Sequence, residues 1–150
     1  MTDTLVTPRF SLPLLATAQA QKELTHNEAL LLIDALLHGT VEGGPVSDPP
    51  PAPAAGQCWL VGASPTGEWA GQAAAIALWT EGGWRFVMPR AGMFAVRAAD
   101  GVRMRFDGET WLTPATIASP SGGVTIDSEA RAAVAALVAL LDGHGLLISG

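Results

Sequence analysis

Residues 43–56 read GGPVSDPPPAPAAG, with five prolines and three glycines in fourteen positions. Proline lacks a backbone N–H and fixes φ, so such a block neither continues a helix nor pairs as a central strand. The Pro-Pro-Pro run favours extended polyproline geometry, which reads as a semi-rigid spacer holding the N-terminal segment away from the rest of the chain. It cuts the chain into an N-terminal oligomerisation or docking helix (1–42), a Pro-rich linker (43–56), a Trp-rich β module (57–114), and a second linker with a C-terminal helix (115–150). The expected class is α+β.

Residues 14–38 contain neither Gly nor Pro, while Pro13 precedes them and Gly39 comes directly after. That is the usual asymmetry of helix start and stop. His26, Leu30, Ile33 and Leu37 fall on one stripe of this helix, and Gln19, Gln21, Lys22, Glu23 and Glu28 supply polar surface. Past the 115–124 linker, Asp127 or Ser128 can cap a second helix that ends at Gly143. There Ala130, Val134, Leu137 and Leu141 make a heptad seam, on a helix apolar nearly all round. Two apolar helices tied by linkers to a small sheet are hard to bury in one monomer. The expectation is a closed homo-oligomer whose seam is Leu30, Ile33, Leu37, Val134, Leu137 and Leu141.

Between the linkers, six short runs of β-formers (CWLVG, IALW, WRFVM, MFAVR, VRMRF, TWL) alternate with Gly-bearing turns. This spacing predicts a small antiparallel meander. In Trp79–Trp84 and in Phe106–Trp111 an aromatic precedes a Trp by five positions. A four-residue loop would set each pair directly across the hairpin, although Asp107-Gly108 also suits a tight two-residue turn.

The chain has 150 residues, a net charge of −6 and only eight basic residues, which argues against a nucleic-acid binder. Its one cysteine, Cys58, forms no intrachain disulfide and reads as a small buried hydrophobe. The apolar run over 132–141 is about half a membrane span, and MTDTLVTPRF lacks the basic start of a signal peptide. A soluble protein made in the cytoplasm, with no membrane insertion, is expected.

Chemistry-bearing patterns are sparse. Glu23 and His26 have the Glu-x-x-His spacing of di-iron bundles, but without further long helices they read as a hydrogen-bonded pair. Asp34 and His38 read as a contact on one helix face. Ser64 lacks the flanking glycine of a nucleophile elbow. Glu68, Glu81, Asp100, Asp107 and Glu109 read as turn formers or solvated charge. No enzyme activity, metal or cofactor is expected. All five tryptophans lie between positions 59 and 111; Trp59, Trp84 and Trp111 read as core, Trp69 and then Trp79 as the exposed ones. Alternation that turns Trp84, Phe86 and Met88 inward leaves Arg85 outward. Phe94 and Val96 inward leave Arg97 outward, and Met104 and Phe106 inward leave Arg103 and Arg105 outward. The four read either as an ordinary solvated face or as one basic sheet face. These four arginines and two tryptophans are the candidate contacts for an anionic polysaccharide.

The run Leu12-Pro-Leu-Leu-Ala-Thr-Ala-Gln-Ala-Gln-Lys-Glu-Leu-Thr-His-Asn-Glu-Ala-Leu30, then Leu32-Ile33-Asp34-Ala35-Leu36, resembles the opening of a phage-associated domain family of unknown function. Gly56–Gly62, Gly67–Gly71, Ile76–Trp79, Gly83–Phe86 and Pro120–Arg131 also resemble it. That family is found in alphaproteobacterial prophages and gene transfer agents. The resemblance implies a virion component, such as a head spike, fibre base or fibre protein. Its partners would be further copies of itself in a homotrimer, other capsid or spike subunits, and bacterial surface polysaccharide. It brings no catalytic or ligand residues with it. The competing reading is a carbohydrate-binding module for host capsule.

Overall fold

The two aromatic pairs do oppose one another. In the computed structural model, which describes residues 5–15, 22–123 and 127–150, β4 (Ile76–Thr80) turns through Glu81-Gly82 into β5 (Gly83–Val87) and sets Trp79 opposite Trp84. Numbering all strands in chain order, β7 (Arg103–Phe106) likewise meets β8 (Trp111–Leu112) with Phe106 opposite Trp111. The β7–β8 loop is the four-residue form. The Asp107 carboxylate accepts from the N–H groups of Thr110 and Glu109, both at 2.8 Å, and these bonds hold it below the usual carboxylate range. With β3 (Cys58–Val61) antiparallel to β4, and β6 (Phe94–Arg97) antiparallel to β7, all six expected strands form. They make two three-stranded meanders instead of one sheet.

The Pro-rich block is not a spacer. Just before it, β1 (Thr40–Val41) adds in parallel to β6; within it, β2 (Gly43–Val46) adds in parallel to β3. One residue, Glu42, therefore carries the chain from the first sheet (β1-β6-β7-β8) to the second (β2-β3-β4-β5). The prolines are tolerated because β2 is an edge strand whose outer side has no ladder to maintain. Gly44, at φ +115°, lies where any Cβ would collide with the Leu60 carbonyl, so only glycine permits this pairing. Further along, the Ser47 carbonyl accepts from Thr66 N–H at 2.9 Å, and the Trp79 carbonyl accepts from Gly56 N–H at 2.9 Å. One end of the polyproline run is thus tied to the β3–β4 connection and the other to β4.

The first helix is shorter than expected and packed against the sheets. Among the described residues α1 covers Lys22–Leu37; Gln19 and Gln21, assigned to its polar face, lie outside them. Leu14 and Leu15 are not helical. Residues 5–15 fold back on themselves through a Val6–Pro13 bridge and a Leu14 N–H to Leu5 carbonyl bond of 2.8 Å. The Asn27 amide clamps Leu15 from both sides, at 2.9 Å each, so this arm lies beside α1 instead of extending it. The inward face of α1 carries Leu31, Leu32, Asp34 and Ala35, and the predicted surface residue Glu23 is also buried. Ala35 joins Val41, Leu60, Leu78, Met104, Phe106 and Trp111 in one core drawn from α1 and both sheets.

The 115–124 linker also contains a strand. β9 (Thr116–Ile117) pairs in parallel with β10 (Ile148–Ser149). Between them α2 spans Ser128–Gly143, capped by the Asp127 carboxylate on Ala130 N–H at 2.9 Å. Its C-terminal turn rests on the first sheet, where the Gly145 carbonyl accepts from Arg103 N–H at 3.0 Å and a Cβ on Gly145 would strike the Gly101 carbonyl. No helix among the described residues is long and apolar enough to cross a membrane.

Candidate functional site

The four arginines do not share one face. Arg85 belongs to the second sheet and pairs with Glu28 of α1 at 2.5 Å. Arg97 grips Asp100 with two parallel bonds of 2.9 and 2.7 Å, which hold the Asp100 carboxyl below its usual range. The phase of β6 is also opposite to expectation. Ala95 faces buried Met104 across the ladder and is itself buried, so Phe94 and Val96 turn outward while Arg97 shares the inner phase at the strand end. The inward alternation of Met104 and Phe106 on β7 fixes this register. Outside, Phe94 lies opposite Arg105 and Val96 opposite Arg103. The Arg103 guanidinium stacks 4.0 Å over the Phe94 ring. Neither Arg103 nor Arg105 makes a salt bridge among the described residues, although the charge of Arg105 reaches the Asp107 carboxylate and helps to hold it low.

Two shallow cavities meet at this face. One, of about 200 Å³, is lined by Phe94, Arg103, Arg105, Leu112, Pro114 and Leu146 among others. The other, of about 480 Å³, shares Phe94 and Arg103 and is walled by His38 at the end of α1 and His144 at the end of α2. Among the described residues no Asp or Glu lines either. The sequence offers no sign of this grouping, because its alternation turns Phe94 inward and the two histidines come from distant turns.

The tryptophans correct a second expectation. Trp69 has no exposed surface at all. It sits in a single 3-10 turn, Gly67–Trp69, and packs edge-on against Trp84 with centroids 5.1 Å apart, in a cluster with Val61, Ala75 and Ala77. Trp59 and Trp79 also meet Trp84 edge-on, at 5.7 and 4.9 Å. The loop that bears Trp69 is drawn down by the Pro-rich segment, where Thr66 bonds to Ser47 and to Asp48. A ring so enclosed offers no platform to a sugar. Trp79 is half-buried in the same cluster.

A third constellation ties the N-terminal arm to the core. The Asp34 carboxylate, 1% exposed, accepts from the backbone N–H groups of Arg9 and Phe10 at 2.9 and 2.8 Å. In return the Arg9 guanidinium donates to the carbonyls of Ala35 and Thr40 at 2.8 and 2.6 Å, capping the end of α1. Asp34 therefore holds the arm; His38 is exposed at the rim of the larger histidine-walled cavity. Burial pushes the Cys58 thiol up to about 11, against a smaller opposing effect of Arg9. Cys58 is a core residue with an inert thiol. Glu23 is buried while His26 is exposed, and no cluster of three metal-ligating side chains occurs among the described residues. Beneath the arm lies a cavity of about 510 Å³, bounded by Leu5, Val6, Leu24, Leu31 and the Glu28–Arg85 pair.

The seam residues lie on the surface of the single chain. Ile33, Leu37, Val134, Leu137 and Leu141 are all exposed, and Leu30 is half-buried. On α2 only Val138 is buried, and Leu140 is 57% exposed. Arg131, the one charge between Ala130 and Leu141, bonds back to the carbonyls of Pro120 and Gly122. The outer side of α2 is therefore a continuous apolar strip.

The profile of a family described as a protein of unknown function, DUF2793, matches residues 26–112, more than half of the chain. The chain belongs to the DUF2793 family. The matched stretch runs from the first turns of α1 to the end of β8, so the family's domain takes in α1, the Pro-rich block and both sheets. The arm and α2 lie outside it. No curated protein matches the chain.

Proposed function

We propose that this DUF2793 chain is a non-enzymatic structural component of a phage or gene-transfer-agent particle, a spike or fibre-base subunit linking the particle to host-attachment parts. The observation that carries the reading is the outer strip of α2, where Val134, Leu137, Leu140 and Leu141 stand exposed with no charge among them. Monomeric soluble proteins rarely expose contiguous apolar patches of this kind, and such patches mark surfaces that another protein covers. A closed homo-oligomer covers them most simply, with α2 and the exposed stripe of α1 turned toward the symmetry axis. The trimer is the assembly that the sequence resemblance implies. The resemblance at residues 12–36 supports the particle location, and the two sheets then act as a rigid body projecting from the helices.

The test is compositional. Particles induced from the producing bacterium, purified and digested, should yield peptides of this chain in fixed ratio to the major capsid protein. An antibody against it should decorate the particles. Its absence from purified particles, with the chain present in the cells, would overturn the reading.

A further inference from the structure

We propose that the outer face of the first sheet binds the carboxylate groups of an acidic polysaccharide, with Arg103 and Arg105 as the anion-binding pair and Phe94 as part of the floor. Residues two apart on a strand point to the same side about 6.7 Å from each other, so the two guanidiniums reach one ligand together. Neither makes a salt bridge among the described residues, whereas Arg85 and Arg97 each make one; Arg105 feels only the longer-range charge of Asp107. The Phe94 ring holds the Arg103 guanidinium flat at 4.0 Å, which reduces the entropy lost when it binds. The adjoining cavities of about 200 and 480 Å³ are lined by no acidic residue among the described ones.

The chemistry selects the class of ligand. Phe94, Leu112 and Leu146 are 45, 42 and 50% exposed around the arginines, so the site pairs an apolar floor with a cationic fork. A uronic-acid ring matches both, with its C–H face on the floor and its carboxylate on the fork. Nucleic acid fits poorly. A phosphate backbone needs a wide basic footprint, and β7 offers two arginines. The site is complete within one chain, so it stands apart from the proposed assembly.

The experiment is a calorimetric titration of the full chain with oligogalacturonate, beside neutral dextran and inorganic polyphosphate. Oligogalacturonate should bind, more weakly as salt is added, while dextran should not. The double substitution Arg103→Ala/Arg105→Ala should weaken binding by about tenfold or more, the scale of a charge-assisted contact. Arg103→Lys should lower affinity while keeping the charge, because lysine loses the fork and the stacked plane. Arg85→Ala should bind as the native chain does, and circular dichroism should show each variant folded. No binding of oligogalacturonate, native affinity in the double variant, or polyphosphate binding as tightly as the uronate would each overturn the proposal.

Discussion

Replacing Trp69 by alanine should be among the most damaging single changes in the second sheet. The side chain is fully buried, meets Trp84 edge-on at 5.1 Å and fills the space above Val61, Ala75 and Ala77. Truncating a buried Trp to Ala costs about 3–5 kcal/mol through lost transfer energy and the residual cavity. One effect works the other way. The Trp69 indole N–H is buried with no hydrogen-bond partner among the described residues, and removing such a donor relieves about 1–3 kcal/mol. The net loss for Trp69→Ala is then about 2 kcal/mol. Trp69→Phe keeps the edge-on ring and discards the orphaned donor, so it should lie within about 1 kcal/mol of the native chain. Urea unfolding, monitored by far-UV circular dichroism, reads this without interference from the other four tryptophans. With a slope of about 1.5 kcal/mol per molar, Trp69→Ala should lower the midpoint by about 1.3 M. A drop below about 0.5 M would mean that the ring is not enclosed. The Pro-rich segment would then not be drawing the Trp69 loop inward.

Two further perturbations test the interior. Asp34→Ala leaves the N–H groups of Arg9 and Phe10 without their acceptor; trypsin should then cut after Arg9 much faster than in the native chain, and equal rates would show that Asp34 does not hold the arm. Cys58 has its thiol pKa raised from 9.0 to about 11, so the folded state keeps the proton after the unfolded chain has lost it. That contribution is whole below pH 9.0 and is lost as pH rises toward about 11, a fall of about 2–3 kcal/mol that should be missing from the Cys58→Ala stability profile.

The β module was legible because its signals are local. Aromatic pairs five apart around glycine loops put Trp79 opposite Trp84 and Phe106 opposite Trp111, and Asp127 and Gly143 mark where α2 starts and stops. What escaped depends on partners far along the chain. The prolines of the 43–56 block argue against a central strand, but the edge of a sheet has no outer ladder, and Gly44 opens that edge to β2. The large residues of β6, Phe94 and Val96, suggest one phase, while the buried position belongs to small Ala95 because Met104 opposite already fills the space. Trp69 sits in a Gly-rich loop that reads as exposed until Ser47 and Asp48 bind Thr66. Of the six glycan candidates, Arg103 and Arg105 make no salt bridge among the described residues. Salt bridges across 57 and 3 positions of sequence neutralise Arg85 and Arg97.

Self-association through the exposed strip of α2 is the claim on which the structural role rests. Sedimentation equilibrium of the full chain at micromolar concentration decides it. The expected mass is a whole multiple of 15.4 kDa, threefold for the trimer, reverting to one chain when Leu137, 58% exposed in the single chain, is changed to Asp. A native chain that sediments as a single 15.4 kDa species at every concentration would contradict it.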